Sequence, residues 1–259
     1  MKDILKEIVA HKRIELKEQK AVVSENYFNE NYKENVHHSM KEALIASNTG
    51  IISEFKRKSP SKGWIFQNAN PIKIISSYEN AGTTAVSVLT DQMYFGGSLK
   101  DIHTVRDKIN IPILRKDFII DEYQLYQAQF VGADAVLLIA ACLTKEECIK
   151  LTDKAHELDM EVLLEVHAEH ELEYIQDDTD MVGVNNRNLG TFDTLIENSF
   201  KLIELLPKDK VLVSESGILN TETVLKLRKV GFKGFLIGGY LMGTSDPGTE
   251  LQNFINKLK

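Results

Sequence analysis

From Ile51 onward the chain repeats one architectural unit eight times, a short β-branched apolar run followed by a helix-like segment. The runs are IISEF, AVSVL, IPILRKDF, DAVLLIA, EVLLEV, MVGVNN, KVLVSES and GFLIGG. They recur at intervals of roughly 20 to 35 residues, the span of one βα unit. They are apolar throughout rather than at alternate positions, as strands covered on both faces should be. Between them lie helical patterns. TKEECIKLTDKAHELD is expected to start at Thr144 as N-cap, with Glu147 as its capping-box partner. NTETVLKLRKVG is expected to stop at Gly231. Right-handed βα crossovers repeated in this way close a (β/α)8 TIM barrel, so the expected fold class is α/β. The rival is an open doubly wound sheet, which usually has fewer strands and a glycine-rich dinucleotide turn. No G-x-G-x-x-G or P-loop occurs here.

Ahead of the first run, about 20 residues read as an amphipathic helix with Ile4, Leu5, Ile8 and Val9 in one stripe. A mixed polar stretch follows. The expected organisation is a single barrel domain over residues 1–259, with 1–48 as an N-terminal helical extension. The formal net charge of −7 argues against non-specific binding to nucleic acid or to anionic lipid, so any anion site must be local. No apolar run is long enough to span a bilayer. The N-terminus lacks an apolar signal core and is rich in acids, which points to a cytoplasmic protein. Cys142 and Cys148 are read as reduced thiols, since their spacing is neither C-x-x-C nor a disulfide framework. A monomer is expected, with oligomeric state left open.

In a barrel of this kind the functional face lies at the C-terminal ends of the strands. Polar residues gather there. The first run ends in Glu54 and Lys56, whose i, i+2 spacing puts both side chains on one face. Others end in Lys116-Asp117, Glu165, Asn185-Asn186-Arg187, Glu215-Ser216-Gly217 and Gly238-Gly239. A buried unpaired charge costs several kcal/mol, so such groups should pair with one another or with a ligand. A solvated rim with incidental ion pairs would explain any one of them, but five strand ends carrying charge fit a site better. Glycine at the last two strand ends lets backbone N–H groups approach an anion closely. Either Gly217 or Gly238 alone could simply permit a turn. Together with Lys56 and Ser59 across the mouth they point to a phosphate site.

Other motifs carry less. KRKSPSK could be an import signal or a phosphorylation site, but it follows directly on a buried-type strand. HAEHE has neither H-E-x-x-H nor a downstream P-C-x-x-C, so His167 and His170 are read as ordinary residues of a strand-to-helix loop. No G-x-S-x-G elbow occurs. Arg57 and Lys58 read as a solvated rim or as partners for acidic neighbours.

The strand ends, taken in order, resemble those of a known family. EFKRKSPSKG, SVLTDQMYFGGSLKDI, PILRKDFIIDEYQ, GADAVLLIAACL, LLEVH, GVNNRNLGTF, VSESGI and FLIGGYLM are similar, nearly end to end, to the indole-3-glycerol-phosphate synthases of tryptophan biosynthesis. The resemblance implies a TIM barrel with an extra N-terminal helical segment over the mouth. It implies a small phosphorylated substrate, 1-(2-carboxyphenylamino)-1-deoxyribulose 5-phosphate, closed to indole-3-glycerol phosphate with loss of CO2 and water. It implies no metal or organic cofactor. Carried over by motif, Lys116 would be the general acid and Glu165 its acid/base partner in dehydration. Glu54 and Lys56 would be a first-strand catalytic pair, with Lys56 also near the phosphate. Asn185 and Ser216 would orient the substrate, and Arg187 would contact it. Ser59, Gly217, Gly238 and Gly239 would hold the phosphate. Phe95, Phe118 and Leu137 are candidates for an apolar wall against the anthranilate ring.

One departure stands out. IGGYLM carries Gly239 and Tyr240 where the family often has a serine, threonine or glutamate and then a small residue. That removes a side-chain hydrogen bond to phosphate and leaves backbone N–H groups. Three other readings are a related isomerase such as phosphoribosylanthranilate isomerase, a non-enzymatic sensor of phosphorylated ligands, and a nucleic-acid binder.

Overall fold

The structure, a computed structural model, describes residues 4–33, 36–188 and 193–258. All eight apolar runs are strands: β1 (Ile51–Phe55), β2 (Ala85–Leu89), β3 (Ile113–Lys116), β4 (Ala135–Ile139), β5 (Glu161–Val166), β6 (Met181–Asn185), β7 (Val211–Glu215) and β8 (Gly234–Ile237). They pair in parallel in sequence order, and the barrel closes where β1 meets β8, with Ile51 opposite Phe235 and Ser53 opposite Ile237. The expected TIM barrel is the observed fold.

Strand parity divides the core into two layers. Ile52, Ala85, Leu114, Leu137, Leu163, Met181, Val213 and Leu236 fill the barrel interior. Their neighbours Ile51, Phe55, Val86, Val88, Val136 and Val182 pack outward under the helices. The helices begin and end where their caps say they should. Lys145–Glu157 starts on the Thr144–Glu147 capping box, with both reciprocal bonds formed. Thr221–Val230 is capped by Asn220 and stops at Gly231. The connection after β5 departs from the pattern, being a 3-10 segment, Glu169–Tyr174, in place of an α-helix.

The N-terminal segment closes both ends of the barrel. Helix α1 (Ile4–Val22) lies across the top, where Ile4, Leu5 and Ile8 join the interior cluster. Helix α2 (Glu25–Asn31) brings Phe28 against Tyr123 and Leu16 in a separate small cluster. Helix α3 (Met40–Ala46) adds Met40 and Leu44, both fully buried, to the interior cluster, and packs against β2 and β7. Glu161, at the start of β5, accepts hydrogen bonds from the Met40 and Lys41 N–H groups at 2.7 and 2.9 Å. A carboxylate at a helix N-terminus meets unpaired donors and the positive end of the dipole.

Lys12 in α1 is only 2% exposed. Its Nζ lies 2.8 Å from Glu15, 3.0 Å from Asp91 and 3.1 Å from Asp117. Asp117 also accepts from Thr90 at 2.6 Å and lies 3.2 Å from Arg115. Burial would raise the Asp117 pKa, but Lys12 and Arg115 outweigh it and hold the carboxyl down at about 2. A buried charge is tolerable only when paired in this way. So α1 is fastened by charge to the loop after β2 and to the residue that follows Lys116.

Candidate active site

A cavity of about 760 Å³ opens at the C-terminal ends of the strands. Every residue given a catalytic or binding role from the sequence lines it: Glu54, Lys56, Ser59, Phe95, Lys116, Phe118, Leu137, Glu165, Asn185, Arg187, Ser216, Gly217, Gly238 and Gly239. Strand parity accounts for much of this gathering, because Glu54, Lys116, Glu165, Asn185 and Glu215 continue the interior columns begun by Ile52, Leu114, Leu163, Met181 and Val213.

The two sides of the cavity differ. Phe95 and Phe118 pack at 6.1 Å between ring centroids and, with Leu137, form an apolar wall roofed by Ile4, Leu5 and Ile8. Facing them are Ser59 and the turns after β7 and β8. Ser59 Oγ accepts from the Lys62 N–H at 3.2 Å within a small hairpin, Lys58–Ser59 with Gly63–Trp64. Ser216 and Gly217 both have positive φ, 66° and 78°. For a serine this costs about 1–3 kcal/mol and persists only where the surroundings fix it. Asn186 does so. Its amide donates to Glu215 O and Ser216 O at 2.9 and 3.0 Å, and Ser199 bonds its oxygen. Arg187 reaches across to Ser61 Oγ at 3.2 Å, while its buried Nε has no hydrogen-bond partner among the described residues. The family motif's residues 189–192 lie outside the described residues.

The centre is a charged cluster. Lys116 Nζ lies 3.0 Å from Glu165 Oε2 and 3.0 Å from Glu215 Oε2, and Lys56 pairs with Glu54. Burial alone would lower the Lys116 pKa, but Glu165, Glu215 and Glu54 outweigh it and hold the ammonium above the ordinary lysine range. The two carboxylates separate. Burial acts upward on Glu165, yet Lys116 and His167 win and hold it below the usual carboxylate range. On Glu215 burial is reinforced by the charges of Glu165 and Glu54, and the group is pushed up to about 7 against the pull of Lys116. Among the described residues, no group of three or more His, Cys, Asp or Glu is arranged to hold a metal ion.

Sequence reasoning named the strand end at Glu215 but gave site roles to Ser216 and Gly217 and none to Glu215 itself. The usable signal was parity, since Glu215 stands two residues beyond the interior Val213. It also did not foresee what two glycines do. A Cβ at Gly183 would meet Glu215 Oε1 at 2.3 Å, and one at Gly238 would meet Glu54 Oε1 at 2.0 Å. These glycines leave the space that the carboxylates fill. Tyr240 turns toward the C-terminal helix, donating to Glu250 and packing 5.9 Å from Phe254. Of the basic cluster, Arg57 makes a bidentate pair with Asp101 at 2.6 and 2.9 Å, and Lys58 bonds Met93 O at 2.8 Å.

Residues 5–254 match the protein family described as Indole-3-glycerol phosphate synthase. A protein of that name from Bacteroides thetaiotaomicron is 58% identical over 260 residues, covering 100% of both chains. Another, from Polynucleobacter asymbioticus, is 40% identical over 97% of this chain and 98% of that protein. Among solved structures, a chain from work on the tryptophan synthase α2β2 complex of Pyrococcus furiosus superposes with a TM-score of 0.59 at 13% identity. That match covers 81% of this chain and 97% of the other, and at such low identity it shows the shared fold alone.

Proposed function

The chain belongs to the indole-3-glycerol phosphate synthase family, and on that premise we propose how its cavity carries out this carboxy-lyase reaction of tryptophan biosynthesis. The carrying observation is the Lys116 ammonium, 3.0 Å from each of two buried carboxylates, between an apolar wall and glycine-rich turns.

The substrate 1-(2-carboxyphenylamino)-1-deoxyribulose 5-phosphate has an aromatic ring at one end and a phosphate at the other. Phe95, Phe118 and Leu137 hold the ring. Ser59, Gly217, Gly238 and Gly239 hold the phosphate, with Lys56 contributing charge. Arg187 contacts the substrate, and Asn185 and Ser216 orient it. Fixing both ends folds the chain so that the ring carbon bearing the carboxylate meets the ketone carbon, which removes much of the entropic barrier. Lys116 donates a proton to the ketone oxygen as the carbon–carbon bond forms. Loss of CO2 returns its electron pair to the ring and restores aromaticity. The new hydroxyl then leaves as water, protonated by the lysine side of the cluster, while Glu165 takes up a proton from the adjacent ring CH2, which leaves the nitrogen its hydrogen and completes the indole. Glu54 keeps Lys56 in place for both ends of the substrate.

The barrel and its N-terminal helices function together as one monomeric, cytoplasmic domain that binds neither nucleic acid nor membrane. Among the described residues, no helix is long and apolar enough to cross a bilayer. The test is direct. Purified protein given this substrate should develop indole fluorescence and release CO2. Folded protein that forms no product would sink the reading.

A further inference from the structure

His167 follows β5 directly, two residues beyond Glu165, and each of its ring nitrogens lies within ion-pair distance of a carboxylate, although neither N–H is aligned for a hydrogen bond. Nε2 is 3.2 Å from Glu165 Oε1, and Nδ1 is 3.4 Å from Glu171 Oε2 on the 3-10 segment. Its side chain is 13% exposed. Beyond Glu165 stand Lys116 on β3, Glu215 on β7 and Asn185 on β6, and beyond Glu171 stands His170. Asn198 holds the His167 carbonyl at 3.1 Å. The Glu171 carboxylate also accepts the His167 backbone N–H, so the acid behind the ring is itself fixed.

A neutral imidazole has one donor and one acceptor. With a carboxylate at each nitrogen, the neutral ring would aim a lone pair at an anion. Only the imidazolium sets a positive charge beside both anions, and the contacts are ionic rather than aligned hydrogen bonds. Burial works against that charge, but Glu165 and Glu171 outweigh it and push the ring up to about 10.

We propose that His167 is a positioning residue for the synthase reaction: as an imidazolium it holds Oε1 of Glu165, leaving Oε2 on Lys116, and keeps Glu165 ionised when Lys116 gives up its proton. This rests on the synthase reading above. Its logic is electrostatic. The resting Glu165 has a cation at each oxygen. When Lys116 protonates the ketone, the cation at Oε2 disappears while Glu215 and Glu54 remain nearby. A buried carboxylate among other carboxylates would then take up a proton early and be lost as a base. The cation at Oε1 prevents this, and Glu171 keeps that cation charged.

The test compares kcat and KM against pH for the wild-type chain, His167→Gln and Glu171→Gln, alongside 15N-histidine NMR of the ring nitrogens. His167→Gln should move the acidic limb of the kcat profile up by about one pH unit, so that kcat falls by up to about tenfold on the acid side of the limb, with KM changed by less than about threefold. Glu171→Gln should move the same limb in the same direction by less. In the wild-type protein the His167 ring should remain doubly protonated at pH 8, and in Glu171→Gln it should lose a proton at lower pH. If both variants keep the wild-type limb, or if the wild-type ring is singly protonated at pH 7, the inference is overturned. A misfolded His167→Gln still leaves Glu171→Gln and the NMR measurement to decide. If the wild-type chain makes no product, the synthase reading fails by itself, and the NMR arm judges the charge on His167 separately.

Discussion

Lys116 and Glu215 meet at 3.0 Å in the middle of the barrel mouth, and the carboxylate of this pair titrates near neutrality, at about 7, although it touches an ammonium. Burial and the charges of Glu165 and Glu54 overcome that contact. A native pKa above the unfolded value means that the folded state binds this proton more tightly. Its ionisation therefore opposes folding, with no penalty below the ordinary glutamate pKa and the full penalty above about pH 7. Glu215→Gln is expected to raise Tm by about 3 °C or more at pH 8 and by little at pH 5, while lowering kcat. Thermal melts at the two pH values check this, and a variant less stable at pH 8 than the wild type would contradict it.

Lys116→Met should reduce kcat by about 100- to 10,000-fold, the usual range for losing a positioned general acid. Substrate binding should persist, because the proposed contacts to ring and phosphate lie elsewhere. It also leaves Glu165 and Glu215 side by side without their shared cation, so the variant should lose stability more steeply than the wild type as pH rises. Ligand titration with a non-reactive substrate analogue and pH-dependent melts separate the two effects.

The glycine clearances predict a rescue. Gly183→Ala places a methyl group 2.3 Å from Glu215 Oε1, and Gly238→Ala places one 2.0 Å from Glu54 Oε1. Each should cut kcat by about tenfold or more by displacing a carboxylate from its lysine. Combining Gly183→Ala with Glu215→Ala should restore the melting temperature relative to Gly183→Ala alone, without restoring rate. Additive losses in the double variant would show that the clash is relieved in some other way.

Lys12→Met strips the cation from two buried aspartates. Breaking a buried pair on one side typically costs about 3–5 kcal/mol. Because the Asp117 pKa is depressed, to about 2, its contribution to stability is present above the unfolded value and lost as pH falls toward 2. The variant should therefore unfold at a higher pH in acid titration. It should also raise KM, since Ile4, Leu5 and Ile8 roof the cavity from the same helix.

What was legible in the sequence follows strand geometry. The eight βα units, the capping box at Thr144 and the stop at Gly231 depend on local pattern, and they read out directly. The residues that gather at the mouth follow from parity at strand ends. Applied consistently, the i, i+2 rule that joined Glu54 to Lys56 would also have joined Val213 to Glu215 and Glu165 to His167. Lys12 could not be found that way. It sits in a helix crowded with lysines and glutamates, and only the distant Asp91 and Asp117 distinguish it. The spaces at Gly183 and Gly238 were equally hidden, because a glycine that clears room for a carboxylate on the neighbouring strand reads in sequence like a turn or a phosphate contact.

The fastening of α1 also bears on the order of assembly. Helix α1, made before the barrel strands, carries Lys12, whose partner Asp117 is made about a hundred residues later, just after β3. Until then the lysine lacks its Asp117 partner, and the helix lacks the packing from which most helical stability comes. Amide protection in α1 should therefore appear after that of the first three strands. The roof of the site is synthesised before the barrel and seated after it, which leaves the mouth open while the barrel closes beneath it.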